Sequence, residues 1–487
     1  MNEVHVVVVG GGITGLSTAH RLMEWSGRAG ISLRCTLLEE SGRFGGKIRT
    51  YRDESGVFAE LGPDSIYTHK QAGMELIRDL DLQDQIIYAA TSGGTYISRE
   101  GAFHSLPDGM FSAIPGDVGA FAKTSLLSPA GKFRALCDLF LPGRPLEDDV
   151  ALGAFLRRRL GKEFVENMAS PLLAGIHAGD IDRLSLEAVA PVLRRLYQRY
   201  GSLMRGALIE RPRRMDRGSA PQSPFASLAG GLEALVEHLV LRLSGRVALR
   251  LGAHVTQVRR HHAGSYDVIV REGKGLSSLG ADAVVLAVPS YAASDILVSA
   301  GIHPGLLRSI RYVSTATVLL GYDQPADRLG LQGTGFLIPA GEHSRFSAMT
   351  VVSNKWPGSA ADRFGTLVRG YIGRDGDDTW TRLDNQELVE LFVRELRSRF
   401  GVAGAPTFGK ISRWQSAMPQ YEVGHRARVE QIERQLAATP GLYVAGSAYR
   451  GMGIPDCIAD GVLTAQKVAQ FLEDGALRRE GGVPVGL

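Results

Sequence analysis

A nearly continuous run of apolar, mostly β-branched residues occupies positions 4–9 and ends in a cluster of glycines. Positions 15–25 follow with Leu16, Ala19 and Leu22 at helical spacing, which predicts an amphipathic helix. A second apolar run at 33–38 stops at Glu39. Apolar strands without alternation are typical of a parallel sheet that is buried on both faces, so the start of the chain is predicted to form a strand–helix–strand unit.

The rest of the chain mixes helical and strand patterns. Residues 95–106 alternate around a Glu-Gly pair and predict a hairpin. Residues from about 110 to 204 have helical spacing, with breaks expected at Pro129, Pro142, Pro171 and Pro191. Further helices are predicted at 232–243, 385–399 and 461–472, and further strands at 248–250, 268–271, 284–288 and 444–445. An exposed linker is predicted at 206–224, and fraying is expected from Gly475 on.

The length of 487 residues exceeds what one hydrophobic core usually supports, so two or three domains are expected. Hydrophobic residues make up 44% and charged residues 22%, which argues against a disordered or coiled-coil protein. No apolar run approaches the roughly 18 residues that span a bilayer, and the N-terminus shows no leader pattern. We expect a cytoplasmic protein, either soluble throughout or in peripheral contact with a membrane.

The net charge of +4 is small, but basic residues are concentrated in one region. Residues 190–217 hold eight arginines against Glu210 and Asp216. Such a patch attracts a polycarboxylate, an anionic lipid or an acidic partner, although a solvated helix face has the same composition. No nucleic-acid partner is expected. The three cysteines, Cys35, Cys137 and Cys457, form no CxxC pair, which predicts neither a zinc site nor a disulfide framework.

A G-x-G-x-x-G motif lies between the first predicted strand and helix and consists of Gly10, Gly11, Gly12, Ile13, Thr14 and Gly15. Gly10 permits a tight turn, Gly12 lets backbone amides approach a pyrophosphate, and Gly15 lets helix and strand pack closely. The helix N-terminus offers unpaired N–H groups and a partial positive charge to the phosphates. Glu39, which Glu40 follows, is placed to bind ribose hydroxyls. This motif predicts a dinucleotide but does not distinguish FAD from NAD.

A second motif, Arg43-Phe44-Gly45-Gly46-Lys47, follows the ribose acid. It resembles the R-x-G-G-[RK] signature of glutathione-reductase-like flavoproteins, specifically the clan of amine oxidases and protoporphyrinogen oxidases. Paired glycines let the chain run against the cofactor, and the two cations can face phosphate or flavin. The resemblance implies that the cofactor is FAD.

A third glycine-rich segment, residues 446–458, precedes a helix near the C-terminus and contains Ser447, Met452, Gly453, Ile454 and Cys457. In the clan that it resembles, this segment returns to the cofactor and directs a helix N-terminus at the pyrimidine end of the flavin. A positive dipole at that position stabilises reduced flavin. Cys457 lacks the flanking pattern of covalent flavin attachment and is interpreted as a small hydrophobic residue.

Four further segments narrow the resemblance: 60–65 (ELGPDS), 171–180 (PLLAGIHAGD), 418–425 (MPQYEVGH) and the Pro-Asp-Cys turn at 455–457. Together they resemble the protoporphyrinogen oxidase family over nearly the whole chain. The resemblance implies that FAD also contacts Gly62, Pro63, Asp64, Ser65, Val255, Ser447, Met452, Gly453 and Ile454. It places Gly175 and Ile176 at the porphyrinogen pocket. The segments around Gly175 and Gln420 are most similar to coproporphyrinogen III oxidases, and Thr95 stands where the organellar branch carries an arginine.

The activity that this resemblance implies is oxidation of coproporphyrinogen III to coproporphyrin III in haem biosynthesis, in three two-electron steps with O₂ as acceptor and H₂O₂ as product. The alternatives are protoporphyrinogen IX as substrate, another amine oxidase or desaturase of the clan, and a flavin-binding scaffold without turnover. Lys70 is a candidate cation for a substrate propionate, as are Arg194, Arg195, Arg199 and Arg205. Contact with the next enzyme of the haem pathway is a further expectation.

No catalytic base is assigned from the sequence. His177 and His425 lie in matched segments, and imidazole titrates near neutrality. A histidine in a glycine-rich turn is more often a structural hydrogen-bonding residue, however. Asp180 and Asp182 have no third oxygen ligand at useful spacing, so no metal site is predicted.

The predicted fold is α/β: a doubly wound FAD-binding domain of the glutathione-reductase-like type, a substrate domain with a mixed sheet, and a helical insertion. The FAD domain is assigned to residues 1–68, 220–295 and 408–475. The substrate domain is assigned to 69–108 and 296–407, and the helical domain to 109–219. Apolar residues in the helical domain either form a membrane-facing surface or pack inside: Phe111, Ile114, Phe121, Leu126 and Phe133.

Overall fold

A five-stranded parallel sheet forms the centre of the nucleotide-binding part. The computed structural model describes residues 3–91, 93–210, 223–261, 264–360 and 363–480. In spatial order the strands are Ala248–Leu251, Leu33–Glu39, Val4–Val9, Ala283–Leu286 and Leu442–Val444. Every neighbouring pair is parallel. Three separated stretches of the chain therefore build this sheet, which confirms the predicted fold class.

Both faces of the sheet are covered, which explains the apolar runs in its strands. Side chains alternate along Val4–Val9, so Val6 and Val8 pack into one core while Val7 and Val9 pack into another. The first core includes residues of the helices Ile13–Ala29, Gln71–Asp79, Glu233–Leu243 and Ile454–Glu480. The second includes the helices Ser290–Leu297, Gly305–Arg308 and His425–Ala437 and an antiparallel sheet, Ala253–Arg260, Tyr266–Glu272 and Gly275–Ala281.

Backbone segments approach each other closely at two glycines of this region. A Cβ atom on Gly15 would lie 2.0 Å from the carbonyl oxygen of Gly10, where the first strand meets its helix. A Cβ atom on Gly461 would lie 2.6 Å from the carbonyl oxygen of Thr14, where the C-terminal helix packs on the first helix. Any side chain at either position would push the elements apart, so both positions require glycine.

A seven-stranded mixed sheet forms the second large element. Its order is Phe408–Pro419, Tyr312–Tyr322, Thr366–Ile372, Phe346–Val351, Gly335–Leu337, Thr95–Arg99 and Ala102–Ser105. The predicted hairpin at 95–106 supplies the last two strands. The helix Asn385–Phe400 packs on this sheet and begins with a capping box between Asp384 and Glu387. Strand Phe408–Pro419 belongs to this sheet although the FAD domain was assigned from 408, so this sheet extends to Pro419.

The remaining elements are short. Small sheets pair Ile66–Tyr67, Phe225–Leu228 and Ile86–Tyr88, then Thr50–Arg52 with Phe58–Glu60, and Met110–Phe111 with Ile114–Pro115. Helices of the helical part are Val118–Lys123, Pro129–Leu136, Leu152–Leu160, Lys162–Phe164, Gly175–His177, Leu186–Val189, Pro191–Tyr200 and Leu203–Glu210. One more helix is Val352–Lys355, and 3₁₀ turns occupy Gln83–Gln85, Cys137–Leu139, Val298–Ala300, Ala340–Glu342 and Thr379–Arg382.

The prolines of the helical part behave in two ways. Pro129 and Pro191 begin helices, where their missing N–H group has no partner to lose. Pro171 was expected to break a helix, but it lies inside the π-helical segment Val165–Ala174. A π-helix shifts the hydrogen-bonding pattern to i→i+5, and such segments are often found at functional sites. The segment leads directly into Gly175–His177.

One prediction for the helical part is wrong. It does not begin with a helix, because Met110–Phe111 and Ile114–Pro115 form a hairpin. Of the residues proposed for a membrane-facing surface, Ile114, Phe121 and Leu126 are fully buried in the core of the helical part, whereas Phe133 is 72% exposed. Helical spacing alone did not indicate which side of each element faces that core.

The C-terminal helix is longer than predicted. It runs over Ile454–Glu480 rather than 461–472, and it passes Gly475, where fraying was expected. Pro455 is tolerated because it lies in the first turn of this helix. The predicted linker at 206–224 begins inside the helix Leu203–Glu210, and its residues 211–222 lie outside the described part of the chain. Among the helices that the structure describes, none has the length and apolar character needed to cross a bilayer.

Candidate functional site

The glycine motif forms a tight turn between the first strand and the first helix. Gly10 has φ +106°, and a Cβ atom there would lie 2.5 Å from the carbonyl oxygen of Ala287. Gly12 is the N-cap residue of the helix Ile13–Ala29, and no side chain caps that helix. A Cβ atom on Gly12 would meet no atom within 4 Å. The uncapped N–H groups of the helix therefore lie beside open space, as a phosphate-binding turn requires.

Glu39 braces this turn. One carboxylate oxygen accepts a 2.7 Å hydrogen bond from the Gly11 N–H, and the other accepts bonds from the N–H and the hydroxyl of Ser41. Glu40 is exposed and lies 2.9 Å from Nδ1 of His254. His254 precedes the buried Val255 on the strand Ala253–Arg260. The structure thus brings the predicted ribose acids and Val255 to one end of the parallel sheet.

The segment Arg43–Lys47 lies against the glycine-rich turn. The Gly45 N–H donates a hydrogen bond to the Gly11 carbonyl at 2.8 Å. The Arg43 guanidinium donates to the carbonyls of Gly46 and Ile48 and pairs with Glu233 at 3.1 Å. These bonds hold the segment in shape, and the contact of Arg43 with cofactor stays a prediction.

Lys47 connects the two ends of the predicted cofactor site. Its ammonium donates to the hydroxyl of Ser447 at 3.1 Å, although 400 residues separate them in the chain. Burial lowers the pKa of Lys47, and the Cys457 side chain nearby partly offsets that effect. Burial also raises the pKa of the Cys457 thiol to about 11, so this cysteine remains an unreactive thiol at neutral pH.

Gly62 lies against Lys47, and nearby Asp64 is held by two cations, Arg369 of the mixed sheet and Lys355 of the helix Val352–Lys355. A Cβ atom on Gly62 would lie 2.0 Å from the Lys47 carbonyl oxygen, so only glycine fits there. Asp64 pairs with Lys355 and with the fully buried Arg369, each at 2.9 Å. Burial alone would raise the pKa of Asp64, but Lys355 and Arg369 lower it well below its usual range. Asp64 is therefore ionised, and the trio carries one net positive charge.

A clamp of Tyr421 and His425 holds the C-terminal glycine-rich turn. The Tyr421 hydroxyl donates to the carbonyl of Ser447 and accepts from the N–H of Gly451, both at 2.8 Å. The His425 ring stacks on Tyr421 with centroids 4.0 Å apart and bonds the Tyr449 carbonyl at 3.0 Å through Nε2. Both rings are buried. Burial lowers the pKa of His425 to about 4, so this histidine is a neutral structural residue.

Met452 and Gly453 end this turn, and the next residue, Ile454, is the first residue of the C-terminal helix. In the first turn of that helix, Asp456 accepts from the Gly453 N–H at 3.2 Å and pairs with Lys70 at 2.6 Å. Lys70 was proposed to hold a substrate propionate. Its side chain is half exposed, but its charge is matched by Asp456.

The residues predicted to face the porphyrinogen come from different elements. Thr95 begins the strand Thr95–Arg99 and pairs with Gly335 in the mixed sheet. Gly175 and Ile176 form the short helix after the π-helical segment, and the Ile176 side chain is 69% exposed.

His177 follows in the same short helix. The Gln420 side chain donates to its carbonyl at 3.0 Å, and its ring Nδ1 is buried without a hydrogen-bond partner among the described residues. Burial and the charge of Lys70 lower the pKa of His177 to about 4. The ring is therefore neutral at physiological pH.

The arginines proposed to bind propionates have partners on the helical part. Arg194 pairs with Glu187 at 3.1 Å, and Arg195 and Arg199 lie 3.7 and 3.5 Å from Glu210. Arg205 donates to the Leu139 carbonyl at 2.6 Å. Arg194, Arg195 and Arg199 are therefore ion-paired within the helical part, and Arg205 is bonded to its backbone.

The two aspartates weighed as a metal site also have partners. Asp182 pairs with Arg157, and Asp180 accepts from the Asp182 N–H at 2.9 Å. Both carboxylates are thus engaged in the local turn.

Three residues of the site were missed in the sequence. Arg369 lies in an otherwise apolar strand, Thr366–Ile372, and a charge in such a strand is itself a signal of a buried ion pair. Tyr421 lies in a recognised segment, but its bonds to Ser447 and Gly451 come from the fold. Lys355 shows no comparable signal in its local sequence.

These features form a site that fits FAD. Space beside Gly12 and the uncapped helix N-terminus suit a pyrophosphate. At the other end, the N-terminus of the C-terminal helix, the half-buried Lys47 and the fully buried Arg369 suit a ring system that gains negative charge when reduced.

Comparisons with known proteins agree with this chemistry. The family model described as flavin containing amine oxidoreductase matches residues 13–469. Coproporphyrinogen III oxidase of Bacillus subtilis (strain 168) is 35% identical over 474 residues, covering 96% of this chain and 98% of that protein. The protein of the same name from Staphylococcus aureus is 32% identical over 472 residues, covering 95% and 98%. The chloroplastic protoporphyrinogen oxidase of Oryza sativa is 28% identical, covering 96% and 88%.

Solved structures extend the comparison. A crystal structure described as a protoporphyrinogen oxidase from Exiguobacterium sp. 255-15 superposes with a TM-score of 0.85 at 32% identity, covering 96% of this chain and 99% of that one. A UDP-galactopyranose mutase has a TM-score of 0.70 at 16% identity, covering 96% and 94%, which shows a shared fold alone. The chain belongs to the flavin-containing amine oxidoreductase family, and it is an FAD-dependent oxidoreductase.

Proposed function

We propose that this enzyme oxidises coproporphyrinogen III to coproporphyrin III by three two-electron steps with O₂ as the acceptor. The observation that carries the proposal is the 35% identity to a coproporphyrinogen III oxidase over nearly the full length of both chains. Bound FAD would supply the chemistry, accepting a hydride from the macrocycle and passing electrons to O₂ with release of H₂O₂. The protein's part is to bind, orient and charge-balance the two partners.

The residues that would hold FAD divide between its two ends. We assign the pyrophosphate to the turn at Gly10–Gly15, the ribose to Glu39 and Glu40, and the strand neighbour Val255 to the adenosine side. Arg43, Gly45 and Gly46 would line the middle of the cofactor, and Lys47 together with Gly62, Pro63, Asp64 and Ser65 would border its flavin end. Ser447, Met452, Gly453 and Ile454 would bind the flavin end, where the helix N-terminus offers positive potential.

Tyr421 would position the flavin end without contacting the reacting atoms. Burial raises the pKa of its phenol well above the usual value, so the hydroxyl remains protonated and can donate to Ser447. The same oxygen accepts from Gly451, so one side chain fixes both ends of the turn that we assign to the flavin.

The substrate face would lie between Lys70, Thr95 and the short helix with Gly175 and Ile176. The half exposure of Lys70 supports its role as a propionate partner, and a substrate carboxylate would have to compete with Asp456 for the same ammonium. His177 borders this region as a neutral imidazole, and we assign no catalytic base.

Protoporphyrinogen IX remains the rival substrate, because the chloroplastic oxidase of Oryza sativa also aligns over most of the chain. The two substrates differ in charge, since coproporphyrinogen III bears four propionates and protoporphyrinogen IX bears two. The proposal of coproporphyrinogen III rests on the higher identity to the oxidases that carry its name.

We also propose a peripheral membrane contact at the helical part. Phe133 is 72% exposed and Phe140 is 85% exposed, and Leu141 beside them is 36% exposed. Exposed aromatic side chains that follow one another on one segment favour an interaction surface. The contact with the next enzyme of the haem pathway stays a prediction from the family resemblance.

Replacing Gly12 by Val should abolish FAD binding without unfolding the protein. A Cβ atom at this position meets no protein atom within 4 Å, so the branched side chain would fill only the space assigned to the pyrophosphate. Purified Gly12→Val should be colourless yet have the far-ultraviolet circular dichroism of the wild type. Stoichiometric flavin in this variant would show that the turn is not the phosphate site.

Replacing Tyr421 by Phe should weaken FAD binding and lower the rate of flavin reduction. The change leaves the Ser447 carbonyl and the Gly451 N–H unpaired, which costs about 1–3 kcal/mol, or roughly tenfold to a hundredfold in affinity. The flavin reduction potential, measured by dye equilibration, should also shift, which a purely structural defect elsewhere would not cause. Tyr443→Phe is the control, because that hydroxyl only contacts the Lys467 carbonyl. Unchanged affinity and potential in Tyr421→Phe would contradict the positioning role.

Steady-state assays with both porphyrinogens at two ionic strengths test the substrate. At low salt, kcat/KM should favour coproporphyrinogen III by about tenfold or more. The expected pocket pairs all four of its propionates, whereas a pocket built for two would leave two carboxylates unpaired, at a desolvation cost of several kcal/mol each. High salt should reduce this preference by screening exposed charges. Lys70→Gln should reduce it as well, whereas the exposed Lys274→Gln serves as a control. Equal or better turnover of protoporphyrinogen IX at low salt would assign the chain to the other substrate.

Flotation with anionic liposomes at low salt tests the membrane contact. The wild type should float, and replacing both Phe133 and Phe140 by Ser should leave most of the protein at the bottom, because the apolar contact area is lost. The control is Leu241→Ser, which removes a 71% exposed side chain from the helix Glu233–Leu243. A wild-type protein that does not float rules out the membrane contact.

A further inference from the structure

Three side chains that can bind metal meet at the edge of the nucleotide-binding part, away from the glycine-rich turns. They are His20 and Glu24 of the helix Ile13–Ala29 and Asp79 at the end of the helix Gln71–Asp79. One ligand atom from each lies within 4.8 Å of the other two. His20 and Glu24 are one helical turn apart and so share a face. The cluster is therefore built from two elements that the fold brings together.

The distance between the first two ligands suits a small divalent cation. Nε2 of His20 lies 3.6 Å from a carboxylate oxygen of Glu24, which is longer than a hydrogen bond. Two ligands at about 2.1 Å from a tetrahedral zinc ion are about 3.4 Å apart. The pair thus already has nearly the separation that shared coordination needs.

His20 also lacks any other partner for its ring. The residue is 4% exposed, and neither ring nitrogen has a hydrogen-bond partner among the residues that the structure describes. Buried polar groups are almost always bonded, so an imidazole with two unbonded nitrogens indicates that something binds there. A neutral imidazole donates a ring lone pair to a metal ion.

Arg21 partly neutralises the negative charge of the three-residue cluster but does not take the place of a bound cation. Its guanidinium lies 2.6 Å from the second carboxylate oxygen of Glu24 and 3.7 Å from Asp79. The Glu24 oxygen nearest His20 remains free of this contact. Two carboxylates and one guanidinium leave the cluster with one net negative charge, so Arg21 should weaken cation binding but not prevent it.

We propose that His20, Glu24 and Asp79 form a binding site for a divalent transition metal, with Zn²⁺ as the best match. One imidazole and two carboxylates suit zinc better than calcium or magnesium, which prefer oxygen alone. The side chains of Glu24 and Asp79 are about one-third exposed, so water completes the coordination. The ion would tie the helix that follows the phosphate-binding turn to the helix that follows Lys70, as a structural link without redox chemistry.

Zinc binding by the FAD-bound, tag-free enzyme tests the site. After removal of metals, the protein is dialysed against Zn²⁺ and bound metal is measured by mass spectrometry. The wild type should retain one more zinc ion per protein molecule than His20→Gln. Asp79→Asn should bind zinc at least tenfold more weakly than the wild type. Arg21→Gln should bind more tightly, since it removes the competing positive charge. His261→Gln is the matched control, because His261 is an exposed histidine 2.8 Å from a single carboxylate, Asp267.

A second readout uses Co²⁺, whose visible bands beyond the flavin absorption report a nitrogen and oxygen ligand set. These bands should be present in the wild type and in His261→Gln and absent from His20→Gln. Flavin content shows whether each variant is folded. If His20→Gln does not fold, Asp79→Asn tests the site instead, because it changes a side chain that is partly exposed. Zinc bound as tightly to Asp79→Asn and to His20→Gln as to the wild type would overturn the proposal. The outcome is independent of which porphyrinogen the enzyme oxidises.

Discussion

Close contact between backbones at the start of the first helix is the constraint on which the cofactor site depends. A Cβ atom on Gly15 would lie 2.0 Å from the Gly10 carbonyl oxygen, and one on Gly461 would lie 2.6 Å from the Thr14 carbonyl oxygen. The first strand, its helix and the C-terminal helix therefore meet with no side chain between them. This contact places a helix N-terminus from each end of the chain in one region, and two such termini give the site its positive potential.

The charged groups around the flavin end are paired with partners that compensate for their burial. Lys47 and Arg369 lose part or all of their hydration, which is costly unless such partners are present. Asp64 balances Arg369 and Lys355, and Ser447 accepts from Lys47. The result is a slight excess of positive charge held in a fixed arrangement, which is the electrostatic environment that favours a reduced, negatively charged flavin. Because Arg369 comes from the mixed sheet and Ser447 from the turn before the C-terminal helix, the electrostatics of the site depend on how these parts pack.

The sequence was informative where the chemistry depends on the local backbone. The glycine motif, the first strands and helix, and the fold class are confirmed, since strong periodicity and required glycines are local signals. Membership of the flavin-containing family, predicted from the same motifs, is confirmed as well. Prediction was weaker where tertiary packing decides. Pro171 was expected to break a helix but lies inside a π-helical segment, and residues 110–115 form a hairpin where helical spacing was expected. Tyr421 and Arg369 act through partners that are distant in the chain, which no local pattern records.

The order of strands in the parallel sheet has a consequence for how the protein is made. Strand Leu442–Val444 leaves the ribosome after the other four strands, yet it completes the sheet that begins with Val4–Val9. The nascent chain must therefore hold an unfinished sheet edge and an exposed apolar face while more than 400 residues are added. Translation at 5–20 residues per second makes that interval roughly 20–80 seconds. A chaperone that shields the N-terminal unit during this interval would raise the yield of folded protein more than one that acts after release.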